Sequence, residues 1–322
     1  MDWSEDRDCN GDIARALRAN HHLIRSVKLQ SLQNNLRSFL DCCPPTFPHL
    51  TSAEIEGWIV LEDEMIAQFI DLSSAGWKRL VFRATQNTER YLHFRWQSFE
   101  SLLGHVATLE TLRFETKCFV KGSQLNQLLC SATRLRELYF SGDGTILGGC
   151  LQARKIVQSE WACKDLEVFS CRIGYVPRPD IVRIARDLPR DPQNFMTTPQ
   201  ESIHIQRQVY SKLAQFTKLR ELLLGSLIDI TAPRYRRGGL EYWRQYECLA
   251  MTLESGLDLL KGLKELRVVG LENMEVYIEG KQEKAWFAEY WPHVTIRTTD
   301  IIDENNIPGF AIPHIFNEFM NL

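Results

Sequence analysis

No run of about 20 apolar residues occurs in this chain, so no segment is suited to cross a bilayer as a single helix. Even WIVLEDEMIAQFI (58–70) is broken by four acidic or amide side chains. The opening residues, MDWSEDRDCN, are acidic and lack the basic start and apolar core of a secretory signal. A surplus charge of one sign is missing too. Lys and Arg number 38 against 41 Asp and Glu, a net charge of -3, so no chain-wide basic field attracts nucleic acid or anionic lipid. Metal-binding spacings are absent: there is no C-x-x-C and no H-E-x-x-H. Cys42 and Cys43 are adjacent, and His21 with His22 has no evident third ligand. Nine cysteines, an odd number spread thinly, argue against a disulfide framework and for a reducing cytoplasm or nucleus. Nothing matches G-x-S-x-G. The glycine-rich SGDGTILGG (141–149) lacks the lysine and hydroxyl residue of a phosphate loop and reads as a strand-to-helix turn. No catalytic residue, metal site or cofactor is therefore expected.

What is present is a repeat. With 44% hydrophobic and 25% charged residues, the 322-residue chain has the balance of a folded protein. One phrase recurs in it: apolar, two variable, apolar, one variable, apolar. The clearest copies are LETLRF (109–114), LRELYF (135–140), LEVFSC (166–171), LRELLL (219–224) and LKELRV (263–268). Weaker ones are IRSVKL (24–29), LTSAEI (50–55) and WKRLVF (77–82). Their first residues are separated by 26, 27, 32, 26, 31, 53 and 44 positions. Helix-period stripes lie between them. Examples are Phe99, Leu102, Leu103 and Val106; Ile205, Val209, Leu213 and Phe216; and Leu249, Leu253, Leu257 and Leu260.

A strand phrase and a helix stripe repeating at this length predict an α/β leucine-rich-repeat solenoid, with a curved parallel sheet on the concave side and helices on the convex side. The expected organisation is an N-terminal cap or remnant over 1–21, the solenoid over 22–296, and a C-terminal cap or tail over 297–322. Two insertions interrupt it. The stretch 174–201 carries five of the twelve prolines, and the loop 231–247 interleaves Arg234, Arg236, Arg237 and Arg244 with Tyr235, Tyr242, Trp243 and Tyr246.

Within each phrase the apolar side chains turn inward, since strand residues alternate between faces. Leu138 is one of these, and Cys171 is read as a small core hydrophobe. The variable third and fifth residues then point outward, including Ser26, Ser52, Val81, Thr111, Val168, Ser170, Leu223 and Glu265. The partner-binding residues expected on this face are Lys28, Glu54, Arg79, Arg113, Glu137, Tyr139, Glu221 and Arg267. Mixed charges with a tyrosine suit a polypeptide partner, for which Arg and Tyr are favoured anchors. Glu62 and Asp63 read as solvated charge on a helix. Two other readings stay open: a nucleic-acid surface on the 234–244 loop, and an enzyme involving Cys163, His204 or the 142–149 glycine turn.

WACKDLEVFSCRIGYVPRPD, QRQVYSKLAQFTKLRELLLG, YECLAMTLESGLDLLKGLKELRVV and WFAEYWP resemble fungal F-box/leucine-rich-repeat proteins. The likeness is close over roughly 161–292 and loose over 22–160. It implies a non-catalytic substrate receptor that docks through an F-box on the Skp adaptor of a cullin ubiquitin ligase, with the repeats choosing the substrate. Here MDWSEDRDCNGDIARALRAN carries no leucine-proline opening of an F-box. The expectation is a truncated or diverged member, or a stand-alone repeat scaffold.

Overall fold

A computed structural model of the chain describes residues 2–3, 11–31, 35–57, 62–84, 92, 94–115, 118, 120–140, 150–177, 197–225, 249–271 and 281–297. Its strands are β1 (Asp2–Trp3), β2 (Ser26–Ser31), β3 (Ser52–Gly57), β4 (Arg79–Ala84), β5 (Thr111–Glu115), β6 (Glu137–Phe140), β7 (Cys150–Gln152), β8 (Val168–Ser170), β9 (Arg172–Gly174), β10 (Glu221–Leu223), β11 (Val268–Gly270) and β12 (Thr295–Arg297). All but β7 and β9 form one open parallel sheet of ten strands, ordered as they occur in the chain. β7 and β9 pair with each other. The α-helices are α1 (Gly11–Asn20), α2 (Asn35–Cys42), α3 (Asp63–Asp71), α4 (Trp96–Leu103), α5 (Gly122–Ser131), α6 (Ala153–Gln158), α7 (Pro199–Leu213) and α8 (Lys281–Tyr290). No helix among the described residues is long and apolar enough to cross a membrane.

The phrases become strands in one common register. Ser26 lies beside Ser52, then Arg79, Thr111, Glu137, Val168, Glu221, Val268 and Thr295. A backbone ladder fixes this at the N-terminal edge of the sheet, where one carbonyl per strand accepts two N–H groups from the next. Lys78 O takes Glu110 N and Thr111 N, both at 2.9 Å, and Glu110 O takes Arg136 N and Glu137 N at 2.8 and 3.0 Å. Arg136, Glu167 and Arg220 repeat the arrangement toward the strands that follow them. Such pairing satisfies polar groups that would otherwise be stranded at the edge of the core.

Inward side chains of the strands and the helix stripes share one continuous core. Leu112, Leu138, Phe169 and Leu222 occupy one row of it, at 1% exposure or less. The next row is aromatic in the middle: Phe82 stacks on Phe114 at 5.3 Å, and Phe114 meets Phe140 at 4.7 Å. Trp161, stacked on Phe216 at 5.7 Å, joins later repeats behind β8. Phe114 thus meets a ring from the strand on each side, so the core runs without a break from β4 to β6.

Four expectations need correction. The last phrase is set three residues late: β11 pairs through Val268, so it reads Leu266, Val269 and Leu271, each buried, and not Leu263, Leu266 and Val268. A further strand, β12, follows it within HVTIR (293–297). The stripe from Leu249 to Leu260 is not one α-helix; Gly256 takes a left-handed φ of 119°, and only Leu257–Gly262 is helical, as a 3-10 turn. A side chain at Gly256 would also press within about 3 Å of Tyr210 and Arg207, so the chain needs glycine there. Finally, the Pro-rich stretch is shorter than 174–201. Gly174 ends β9, while Thr198, Pro199 and Glu201 start α7 through a capping box. The segments 178–196, 226–248 and 141–149 lie outside the described residues.

Candidate functional site

Alternation along β2–β6 leaves one side chain in two facing away from the core, and these carry most of the charge. Lys28 on β2 reaches Glu54 at 3.5 Å and Glu56 at 3.1 Å on β3. Glu54 also meets Arg79 at 3.5 Å and Arg83 at 3.0 Å on β4. Arg83 reaches Glu115 on β5 at 2.6 Å, and Arg113 bonds Glu115 at 2.8 Å and Glu137 on β6 at 3.2 Å. The ladder thus runs across five strands with four cations and four carboxylates. Its guanidinium end is closed by Tyr139, whose ring lies 4.4 Å below the Arg113 carbon.

The sequence pattern brought Lys28, Glu54, Arg79, Arg113, Glu137 and Tyr139 to this face, and the structure gathers all six into one array. It missed Glu56, Arg83 and Glu115. The signal was available: they extend the same alternation one step past each phrase, on strands longer than the phrase itself. Glu221 also faces outward, with no ion pair among the described residues. Arg267 does not. The shifted register puts it before β11, at the N-terminal edge of the sheet, and Glu265 lies there too, 3.5 Å from Arg220.

Nor is the outward face open throughout. Val168, Ser170 and Leu223 are 8%, 3% and 3% exposed, buried within the chain itself. Val81 is 1% exposed, between Arg79 and Arg83 on its own strand; long charged side chains shelter an apolar neighbour with their methylene stems. Asp63 is no solvated charge. Its carboxylate accepts from Arg95 N at 2.7 Å, Gln97 N at 2.9 Å and the Ser98 hydroxyl, capping α4 from the preceding helix.

The electrostatics follow from this pairing. Burial pushes the Glu115 carboxyl up, but hydrogen bonds from Arg83 and Arg113 outweigh it and hold it below the ordinary value. A depressed carboxylate stabilises the fold above its unfolded pKa of about 4.3, and that contribution goes as pH falls through the folded value. Glu115→Gln is therefore expected to be less stable than the parent at pH 7, the gap narrowing as pH drops below about 4. Urea midpoints across the pH range check this; a gap independent of pH would contradict it.

Chemistry elsewhere is sparse. Cys163 is fully buried, and burial pushes its thiol up to about 12. Cys171 is 1% exposed, as an inward repeat position requires, and its thiol is raised by the same cause. Thiolates are the reactive form, so neither is expected to take up iodoacetamide at pH 8 until the chain unfolds. Peptide mapping after labelling tests this, and rapid native labelling of either would count against the burial. His204 lines a groove of about 450 Å³ between α6 and α7, whose walls mix Val157 and Ile205 with Arg154, Gln158 and Glu201. Cys163 is not among the lining residues. Among the described residues no three His, Cys, Asp or Glu side chains gather as a metal site would require.

Comparison with protein-family models and with curated proteins finds no match to this chain.

Proposed function

We propose that the chain is a leucine-rich-repeat solenoid that recognises another protein on the outward face of β2–β6. The carrying observation is the charge array of that face, ordered strand by strand and adding up to no net charge. Phosphate polymers are bound by surplus cations, and here every cation of the array already has a carboxylate. A partner must instead match a fixed pattern of alternating signs around Tyr139, which is the way polypeptide surfaces discriminate.

In a cullin ubiquitin ligase the chain would serve as the substrate receptor, a role supported by the likeness of 161–292 to F-box/leucine-rich-repeat proteins. Mixing the purified chain with purified Skp adaptor and following co-elution tests that role. A joint peak is expected of a receptor. Separate elution at micromolar concentration would reduce the reading to a stand-alone recognition scaffold.

A further inference from the structure

Outside the strand face, a second row of charge lines the N-terminal edge of the sheet. The turns before β6, β8, β10 and β11 (134–136, 164–167, 218–220 and 261–267) hold eight Lys or Arg against three Asp or Glu, a net charge of +5, in a chain of net charge -3. In these turns the carbonyls of the edge ladder belong to Arg136, Glu167, Arg220 and Arg267, each just before one of four adjacent strands. Their signs run plus, minus, plus, plus.

The first three show how this edge holds a carboxylate. Glu167 accepts from Arg136 Nε at 2.7 Å and pairs with Arg220 at 3.4 Å, so it is clasped by guanidinium groups from the strands on either side. The next step repeats the spacing without the acid. Arg267 N bonds directly to Arg220 O at 2.8 Å, which sets two like charges side by side, an arrangement that is unfavourable unless something negative lies between. Arg220 has a long contact with Glu265 at 3.5 Å, with both side chains about half exposed. Arg267 is exposed and has no ion pair among the described residues, and the same holds for Arg134 on the β6 turn.

We infer that this rim docks an acidic segment of a partner polypeptide, with one carboxylate seated between Arg220 and Arg267 as Glu167 is seated between Arg136 and Arg220. Guanidinium forks match carboxylates in a bidentate manner, and the surrounding lysines steer an acidic chain toward the site. Single-stranded nucleic acid fits less well, because it needs free aromatic platforms. The ring at this rim, Tyr290, already has the Lys264 ammonium 5.7 Å from its centre. The rim is separate from the β2–β6 face, so each surface stands or falls by itself.

The test is anisotropy of a fluorescein-labelled octaglutamate peptide with the full chain at low salt. Binding is expected to weaken as salt rises and to fall at least tenfold in Arg267→Glu, while Arg37→Glu on α2 leaves it unchanged. Because Arg267 gives up no ion pair, its reversal should not alter the thermal melt. Failure of the peptide to bind would overturn the proposal, as would equal binding by Arg267→Glu or an equal loss in Arg37→Glu. Stronger competition by an oligodeoxythymidine of equal charge would overturn it in favour of nucleic acid.

Discussion

Phe114→Ala is expected to lower folding stability by about 3–5 kcal/mol. Phe114 is 1% exposed, and its ring is held from three directions: Phe82 at 5.3 Å, Phe94 at 5.1 Å and Phe140 at 4.7 Å. Removing it takes away transfer energy and leaves a cavity whose walls belong to three successive strands. Those walls are tied in register by backbone pairing and cannot collapse freely, so the effect should sit at the upper end for large-to-small changes. Leu138→Ala, in the neighbouring row, is expected to cost about 2–5 kcal/mol on the same reasoning. Urea unfolding measures both. A loss under about 1 kcal/mol at Phe114 would mean that the aromatic row is not the centre of the core.

Gln206→Leu is expected to cost about 1–3 kcal/mol although it adds an apolar side chain to a buried site. Gln206 is 3% exposed on α7, and both ends of its amide are used. Its carbonyl accepts from Ala250 N at 2.8 Å, and its nitrogen donates to Ser202 Oγ at 3.2 Å. Ser202 in turn donates to Pro177 O, and the Tyr210 hydroxyl donates to Ala250 O at 2.9 Å. Ser202, Gln206 and Tyr210 are spaced four apart, so one buried stripe of a single helix holds the chain at Pro177 and at Ala250. Leucine leaves the Ala250 N–H unpartnered away from water. Hydrogen exchange at Ala250 should rise along with the drop in stability; full protection there would show that another acceptor takes over.

The strands were legible because a half-buried strand writes its period directly into sequence. LETLRF and LRELYF put leucine or phenylalanine at every inward position, and their register holds to the residue. LKELRV failed because KGLKELRVVGL contains two overlapping copies of the spacing, Leu263–Leu266–Val268 and Leu266–Val269–Leu271. Only the pairing of Arg267 N and Val268 N with Arg220 O chooses between them. β12 went unseen since Ile296 is the one strong apolar residue in Thr295–Arg297. The helices over Phe99 and Ile205 were readable from their stripes, whereas Leu249–Leu260 has the stripe without the helix. Gly256 breaks it there, and sequence period carries no information about a φ angle. At the candidate site the facing of the charges was readable from alternation. Their mutual pairing was not, for it depends on which strands become neighbours. That is also why Asp63 looked solvated: its partners at Arg95, Gln97 and Ser98 are more than 30 residues away.

The most direct test of protein recognition by the β2–β6 face is a paired capture experiment. The parent chain and a variant with Arg79, Arg113 and Tyr139 all replaced by alanine are incubated with lysate of the source cell, and bound proteins are quantified by mass spectrometry. The ion pairs removed are partly exposed, and Glu115 keeps its bond from Arg83 when Arg113 goes, so the urea midpoint should fall only modestly. The expected result is a defined set of proteins retained by the parent and lost from the variant at nearly equal stability. An unchanged set, or a loss seen only when the midpoint collapses, would contradict the claim that this face is where the chain meets its partner.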